Sequence, residues 1–261
     1  LILLHGIGMS HAAWSPVTPY LCATRRVVAF DIAGFGRTPA LPHGTDPTIA
    51  NLAAGLARSL DELGIEAPVD MAGNSLGGTI ALEAAAHGIA KSVVAISPAG
   101  LWRAHPPRHV KHVFRALRLA ATHVTNGMKM AMQVPWLREI LLTVPLSAGS
   151  ARMPAREARR AIDDLAGSTA FEETFEHTRA PFFRPHIKVP VTVAFGDRDG
   201  ILPRRSRWRE GLPAHTTWVD RPRWGHVPMW VDPTFVAELI LEGIATNRVH
   251  ATAAAIGRVQ M

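Results

Sequence analysis

Apolar positions along the chain fall into two patterns that take turns. Short, nearly continuous apolar runs occur at Leu1 to Leu4, Arg26 to Asp31, Val69 to Ala72, Ser92 to Ile96, Val189 to Phe195 and Thr216 to Val219. Most are rich in β-branched residues and end on Gly, Pro or Asp, which predicts buried strands. Between them, Thr48 to Leu63 carries apolar residues at 49, 52, 53, 56, 60 and 63, a helical period, and Gly64 is placed to stop it. Ser10 to Leu21 reads as a loop and a short helix, with Pro16 near its start. Leu76 to His87, Arg204 to Gly211 and Thr234 to Ala245 read as further helices, and 247–261 as a helical or frayed tail. Strands that are apolar throughout and joined by helices imply a parallel sheet covered on both faces.

The alternation lapses once. From Leu101 to Phe183 no convincing strand occurs, and helical stretches are expected around 107–122, 125–132, 135–143 and 154–165, broken by prolines and glycines. The expected organisation is therefore an α/β core over 1–100, a helical insertion over 101–185, and the rest of the core over 186–261. Met128, Met130, Met132, Trp136, Leu137 and Leu141 give the insertion an oily, adaptable face. Such a stripe is ordinary core, and also lining wherever the insertion roofs a site. The chain opens directly on a strand, so further N-terminal strands are expected upstream of it.

Charge sharpens this picture. The net charge is +7, and residues 101–185 hold 13 Lys/Arg against 7 Asp/Glu, whereas the remainder holds 15 against 14. The excess sits on the insertion, where a solvated arginine-rich helical face is the simplest reading. No aromatic-interleaved basic stripe points to nucleic acid. No apolar stretch is long enough to span a bilayer and no signal-peptide pattern is present, so a cytoplasmic location is expected. One cysteine, Cys22, rules out an internal disulfide. His105, His109, His112 and His123 have no nearby carboxylate or thiol to complete a ligand set, so neither metal nor cofactor is expected. The sequence leaves the oligomeric state open.

The chemistry is carried by Gly73-Asn74-Ser75-Leu76-Gly77, which lies between an apolar strand and a helix. A G-x-S-x-G turn in that context is a nucleophile elbow, in which small flanking residues let strand and helix pass close together and the serine hydroxyl stands exposed. A serine hydroxyl needs a neighbouring base to act as a nucleophile. Asp197, Asp199 and His226 lie just after later strands, on the edge where the C-terminal ends of a parallel sheet converge. Asp31 ends a strand on the same side and reads as a loop-structuring residue.

His5-Gly6, the loop Asp31-Ile32-Ala33-Gly34-Phe35-Gly36, the elbow, Gly196-Asp197-Arg198-Asp199 and Gly225-His226 together resemble the α/β-hydrolase superfamily, in its lid-bearing serine esterase and lipase-like branch. The resemblance covers almost the whole chain. It implies a mostly parallel central sheet flanked by helices, with 101–185 as a helical lid. It implies Ser75 as nucleophile, His226 as base and Asp199, read from Gly196 by the family pattern G-x-x-D, as the acid. It also implies an oxyanion hole from the backbone N–H groups of Ile7 and Leu76, with His5 structural. Met9, Asn74, Met128, Met132 and Trp136 are the candidate substrate contacts.

The expected activity is hydrolysis of a small-to-medium apolar carboxylic ester through an acyl-enzyme. Thioester, lactone and amide hydrolysis would use the same machinery. Ser75 excludes the relatives that use an aspartate nucleophile. One alternative is a carbon–carbon bond hydrolase acting on ring-fission dienoates, whose elbow is similar and whose anionic substrate would want a lid arginine such as Arg103, Arg108 or Arg152. Another is a non-enzymatic small-molecule receptor on the same fold.

Overall fold

The computed structural model describes residues 1–257, with side chains through 245. Its centre is a sheet of six strands: β1 (Ile2–Leu4), β2 (Val28–Phe30), β3 (Val69–Asn74), β4 (Ala90–Ile96), β5 (Val191–Gly196) and β6 (Thr217–Arg221). All pair in parallel, in the order β2-β1-β3-β4-β5-β6. Helices α1 (Thr18–Cys22), α2 (Ile49–Glu62) and α3 (Leu76–Ala86) belong to the first half. Helices α4 (Arg108–His123), α5 (Thr125–Ala131), α6 (Pro135–Thr143), α7 (Ala155–Gly167) and α8 (Phe171–His177) intervene between β4 and β5, and α9 (Pro233–Gly257) closes the chain.

The period-2 alternation of strand side chains divides the core into two layers. Ile2, Leu4, Met71, Val93, Ala95, Val193 and Phe195 face α2 and α3. Leu3, Ala72, Val94, Ile96 and Ala194 face the other way, against Trp14, Leu21, Val236, Ile240 and Ile244 of the first turns, α1 and α9. Each fully buried Leu, Ile or Val of these layers contributes about 1.5–3 kcal/mol relative to exposure. The inserted helices hold a small core of their own, Ala121, Met132, Leu142, Met153, Ala158 and Ile162.

Three departures from the sequence pattern have local causes. The strand expected over Arg26 to Asp31 pairs only from Val28 to Phe30, because the Asp31 carboxylate is taken by the loop amides of His11 (2.6 Å) and Arg37 (3.0 Å). The helix expected over Arg204 to Gly211 is two 3₁₀ turns, Arg204–Ser206 and Arg209–Gly211. Trp208 between them is extended and donates its N–H to Leu101 O at 2.9 Å rather than to a carbonyl one turn back. Helix α8 is only seven residues long, too short to print a helical period on the sequence. Helix α9 continues through the expected helical tail as far as Gly257, and 258–261 lie outside the described residues. No helix among the described residues is long and apolar enough to cross a membrane.

Candidate active site

Strands β1 and β3 are neighbours, yet the chain leaves β1 for β2 on one side and β3 for β4 on the other. Such a switch point leaves a crevice at the C-terminal ends of the strands, where ligands collect in open α/β sheets. His5-Gly6-Ile7 leaves one strand there and Asn74-Ser75 the other. Ser75 has φ 52° and ψ −116°, a backbone conformation that costs a non-glycine residue about 1–3 kcal/mol. The surroundings hold it there. Ser75 N donates to Ile96 O (2.9 Å), and its carbonyl accepts from Thr79 N (3.1 Å) and Thr79 Oγ1 (3.2 Å). The flanking glycines are required by contact: a Cβ at Gly73 would stand 2.3 Å from Gly77 C, and one at Gly77 would stand 2.4 Å from Leu4 O.

His226 reaches the same crevice on the loop after β6 and is buried. Its Nδ1 lies 3.0 Å from Asp199 Oδ2. A carboxylate accepts, so Nδ1 carries the proton and donates, and Nε2 is left with its lone pair. Nε2 is buried, has no hydrogen-bond partner among the described residues, and His226 shares a cavity with Ser75. The Asp199 side chain is fully buried, and its Oδ1 accepts from the amides of Ile201 (2.9 Å) and Leu202 (2.7 Å). Burial pushes its pKa up, but the His226 ring and the two amides outweigh it, and the carboxyl is held below its ordinary value. Asp197 instead accepts from Arg223 N at 2.6 Å and braces a surface turn.

His5 acts on the opposite loop. Its Nε2 accepts from Ile32 N–H at 3.0 Å, so its Nδ1 carries the proton and donates to Gly6 O at 2.7 Å. The same carbonyl accepts from Met9 N at 3.2 Å. In a trans peptide the N–H points opposite to the C=O. Turning the Gly6 carbonyl toward His5 and Met9 therefore turns the Ile7 N–H the other way. Among the described residues, neither the Ile7 nor the Leu76 amide donates to a protein acceptor, and both residues line a small cavity with Ser75.

Burial lowers the His5 pKa from 6.5 to about 4, with the Gly6 bond opposing. The sign follows from linkage. Between those values the unfolded chain binds a proton at His5 that the folded chain does not, so stability falls as the medium is acidified. We expect the unfolding free energy to drop by about 1 kcal/mol per pH unit between pH 6 and 5 from this group. Urea titrations over that range, compared with His5→Gln, check it; an unchanged slope in the variant would contradict the assignment.

Two cavities meet at Ser75. The larger, about 100 Å³, is walled by Ile7, Met9, Phe114, Leu117, Met128, Leu146, Ile162 and Leu165, with Asn74, Ser75 and His226 at its floor. The smaller, about 40 Å³, runs between Ile7, Ser75 and Leu76 on one side and Trp102, Val110, Phe175 and Arg179 on the other. The arrangement brings together a hydroxyl, an imidazole lone pair, two free amides and an apolar enclosure, the parts that acyl transfer needs.

Of the residues singled out in the sequence, Ser75, Asp199, His226, Ile7, Leu76, Met9 and Met128 gather here. Asn74 lines the cavity, but its amide nitrogen is committed to Ile96 O (3.1 Å) and His226 O (2.9 Å), so it ties the elbow to the histidine loop. Met132 is fully buried in the core of the inserted helices, and Trp136 is 63% exposed; neither lines either cavity. Arg103 pairs with Glu210, Arg152 bonds Val231 O, and Arg108 is exposed; none reaches Ser75. Arg179 does line the cavity, and no sequence signal marks it among the many arginines of the insertion. His109, expected on a solvated face, bonds Gly200 O at 3.1 Å and Ile201 O at 3.2 Å, fastening α4 to the Asp199 loop. Asp46, Glu173 and His177 bring three donors within 4.8 Å of one another, but all are exposed.

Residues 1–233 match the family described as the alpha/beta hydrolase fold. The chain is 35% identical over 201 residues to an epoxide hydrolase, EphH, of Mycobacterium tuberculosis, covering 73% of this chain and 92% of that one. It is 41% identical over 254 residues to a pimeloyl-[acyl-carrier protein] methyl ester esterase of Aromatoleum aromaticum, covering 92% and 96%. A thermophilic esterase from Thermogutta terrifontis superposes with a TM-score of 0.69 at 19% identity over 94% of this chain and 89% of that one, a likeness of fold alone.

Proposed function

The chain belongs to the α/β-hydrolase fold family, and from that premise we propose that it is a serine hydrolase that cleaves carboxylic esters with a small-to-medium apolar acyl part. One observation carries the reading: Ser75, on its strained elbow, shares an apolar cavity with the unpartnered Nε2 of a His226 whose Nδ1 is bonded to buried Asp199. Ser75 Oγ attacks the ester carbonyl while His226 Nε2 takes its proton. Negative charge collects on the carbonyl oxygen, where the Ile7 and Leu76 amides donate; such a donor is typically worth about 3–4 kcal/mol in the transition state. The His226 proton passes to the leaving alkoxide, giving the alcohol and an acyl-Ser75 ester. Water, activated by the same Nε2, then releases the acid and restores the hydroxyl. Asp199 fixes the tautomer and stabilises the transient imidazolium. The helices over 101–185 act as a lid and set acyl size through Phe114, Leu117, Met128 and Leu165.

The name of the mycobacterial relative does not transfer by this chemistry. A serine opening an epoxide would form an ether, which the water step above cannot release, whereas a carboxylate nucleophile forms a cleavable ester. The dienoate reading gains no support from Asn74, whose amide nitrogen is spent on backbone carbonyls.

The test is a series of p-nitrophenyl esters from acetate to decanoate. We expect a pre-steady-state burst, the mark of an acyl-enzyme, with turnover favouring the shorter chains. Tight ligand binding with no turnover across the series would favour a receptor instead.

A further inference from the structure

The base sits on a loop whose peptide groups are held from several sides. Trp224 O accepts from Arg198 N at 3.0 Å, and Gly225 N donates to Ser147 Oγ at 2.8 Å. Beyond the ring, His226 O accepts from Asn74 Nδ2 at 2.9 Å, and Val227 N donates to Leu146 O at 2.9 Å. The insertion supplies the partners of Gly225 and Val227, and the first of these partners is a side chain. Ser147 is fully buried and lies close: a Cβ at Gly225 would stand 2.5 Å from Ser147 Cα and 2.5 Å from Leu146 O. The turn that carries Ser147 is braced from α6. Leu146 N donates to Leu142 O at 2.9 Å, and Glu139 accepts from Gly149 N (2.6 Å) and Ala151 N (2.8 Å). Ser150 Oγ donates to Ser147 O at 2.6 Å. A hydrogen bond to so well anchored a support fixes position, which a proton acceptor at a reacting centre requires.

We infer that Ser147 is a positioning residue for the base: its hydroxyl, reaching the loop from the insertion, sets where the His226 imidazole stands between Asp199 and Ser75. The inference rests on the serine-hydrolase reading, in which His226 takes the Ser75 proton. For that transfer Nε2 must come within about 2.6–3.2 Å of Oγ, directly or through one water. A misplacement of about 1 Å at such a centre costs roughly a hundredfold in rate. Removing the Ser147 hydroxyl leaves the Gly225 N–H buried without its acceptor, a cost that the loop relieves by moving. Ser147 itself lines neither cavity at Ser75, so it acts through the loop and not on the substrate. Leu146, the residue before it, does line the larger cavity. The wall that an acyl part meets and the support of the base are therefore consecutive residues, and the insertion belongs to the proton-transfer machinery as well as covering it.

The experiment separates position from stability. On p-nitrophenyl esters, Ser147→Ala should lower kcat by roughly thirty- to a hundredfold. KM should hold, because His226 serves both the acylation and the water step. Ser147→Cys, which keeps a weaker acceptor at the same place, should fall between the two. Met153→Ala is the control: Met153 is buried in the same inserted core and lines neither cavity at Ser75. That variant should lower the melting temperature and leave kcat unchanged. The proton on His226 Nδ1, bonded to Asp199, gives a second readout by nuclear magnetic resonance. Its signal should move or broaden in Ser147→Ala and stay in place in Met153→Ala. A Ser147→Ala kcat within about threefold of the parent, or a loss of rate that Met153→Ala reproduces, would overturn the inference. Should Ser147→Ala not fold, Ser147→Cys decides, and a parental kcat with an unmoved signal there would overturn it. If the unmodified chain hydrolyses no ester, the signal decides alone. Displacement in Ser147→Ala would then leave the positioning role standing while the serine-hydrolase reading fails, and an unmoved signal would remove both.

Discussion

Ser75→Ala should lower kcat on any ester this protein cleaves by about 10⁵- to 10⁶-fold, with little change in melting temperature. The loss is large because Oγ is the bond-forming atom and nothing else at the cavity floor replaces it. His226 would then have only water to activate, and the Ile7 and Leu76 amides would stabilise a much slower attack. Stability should hold because the bonds that pin residue 75 are made by its backbone: its N to Ile96 O, and its carbonyl to Thr79. Alanine suffers the same strain at φ 52° as serine, so the elbow keeps its shape. Steady-state rates and thermal melts on both proteins check this. Hydrolysis within tenfold of the parent rate would place the chemistry elsewhere.

The second large effect is expected at Asp199. Its two oxygens have different tasks, Oδ1 accepting from the Ile201 and Leu202 amides and Oδ2 from His226 Nδ1. In Asp199→Asn the new side chain has only one acceptor oxygen, and the two amides demand it. The carboxamide NH₂ is then turned to His226 and donates to Nδ1, so the ring must carry its proton on Nε2. That is the tautomer unable to take the Ser75 proton, and the expected loss in kcat is about 10⁴-fold with an intact fold. A pH consequence goes with it. Because the Asp199 carboxyl is held below its ordinary value, its contribution to stability is fully present above the ordinary carboxylate range and disappears as pH falls through the lowered value. Asp199→Asn should therefore flatten the acid limb of the stability curve. Nitrogen-15 shifts of the His226 ring would report the tautomer directly, and a ring still protonated at Nδ1 in the variant would refute the expectation.

The sheet was legible because its central strands, β1, β3, β4 and β5, are largely buried and so appear as apolar runs. The elbow was legible because sterics there admit so few residues: Gly73 and Gly77 have no room for a Cβ. Asp199 and His226 could be placed because a parallel sheet brings the ends of its strands to one edge. What escaped depends on tertiary contacts without local periodicity. The backbone of Trp208 answers a carbonyl more than a hundred residues away, at Leu101, and the helix expected there breaks into two turns. Met132 and Trp136 share an oily stretch, but the inserted helices bury the first among themselves and turn the second outward. Arg179 is one cation in an arginine-rich segment, and only the fold brings it to the small cavity.

The small core of the inserted helices has an evolutionary consequence. Strands β4 and β5 are hydrogen-bonded neighbours although residues 97–190 lie between them, so the helical excursion departs and returns at adjacent points. Its own buried methionines and alanines hold it together, while Asn74 ties the Ser75 turn to the histidine loop from below. The excursion also grips the loop beneath it: Gly225 N donates to Ser147 Oγ at 2.8 Å and Val227 N to Leu146 O at 2.9 Å, so inserted residues hold both neighbours of His226. Inherited change in the excursion is therefore expected to be freest away from Leu146, Ser147 and His109, and most restricted at those three positions.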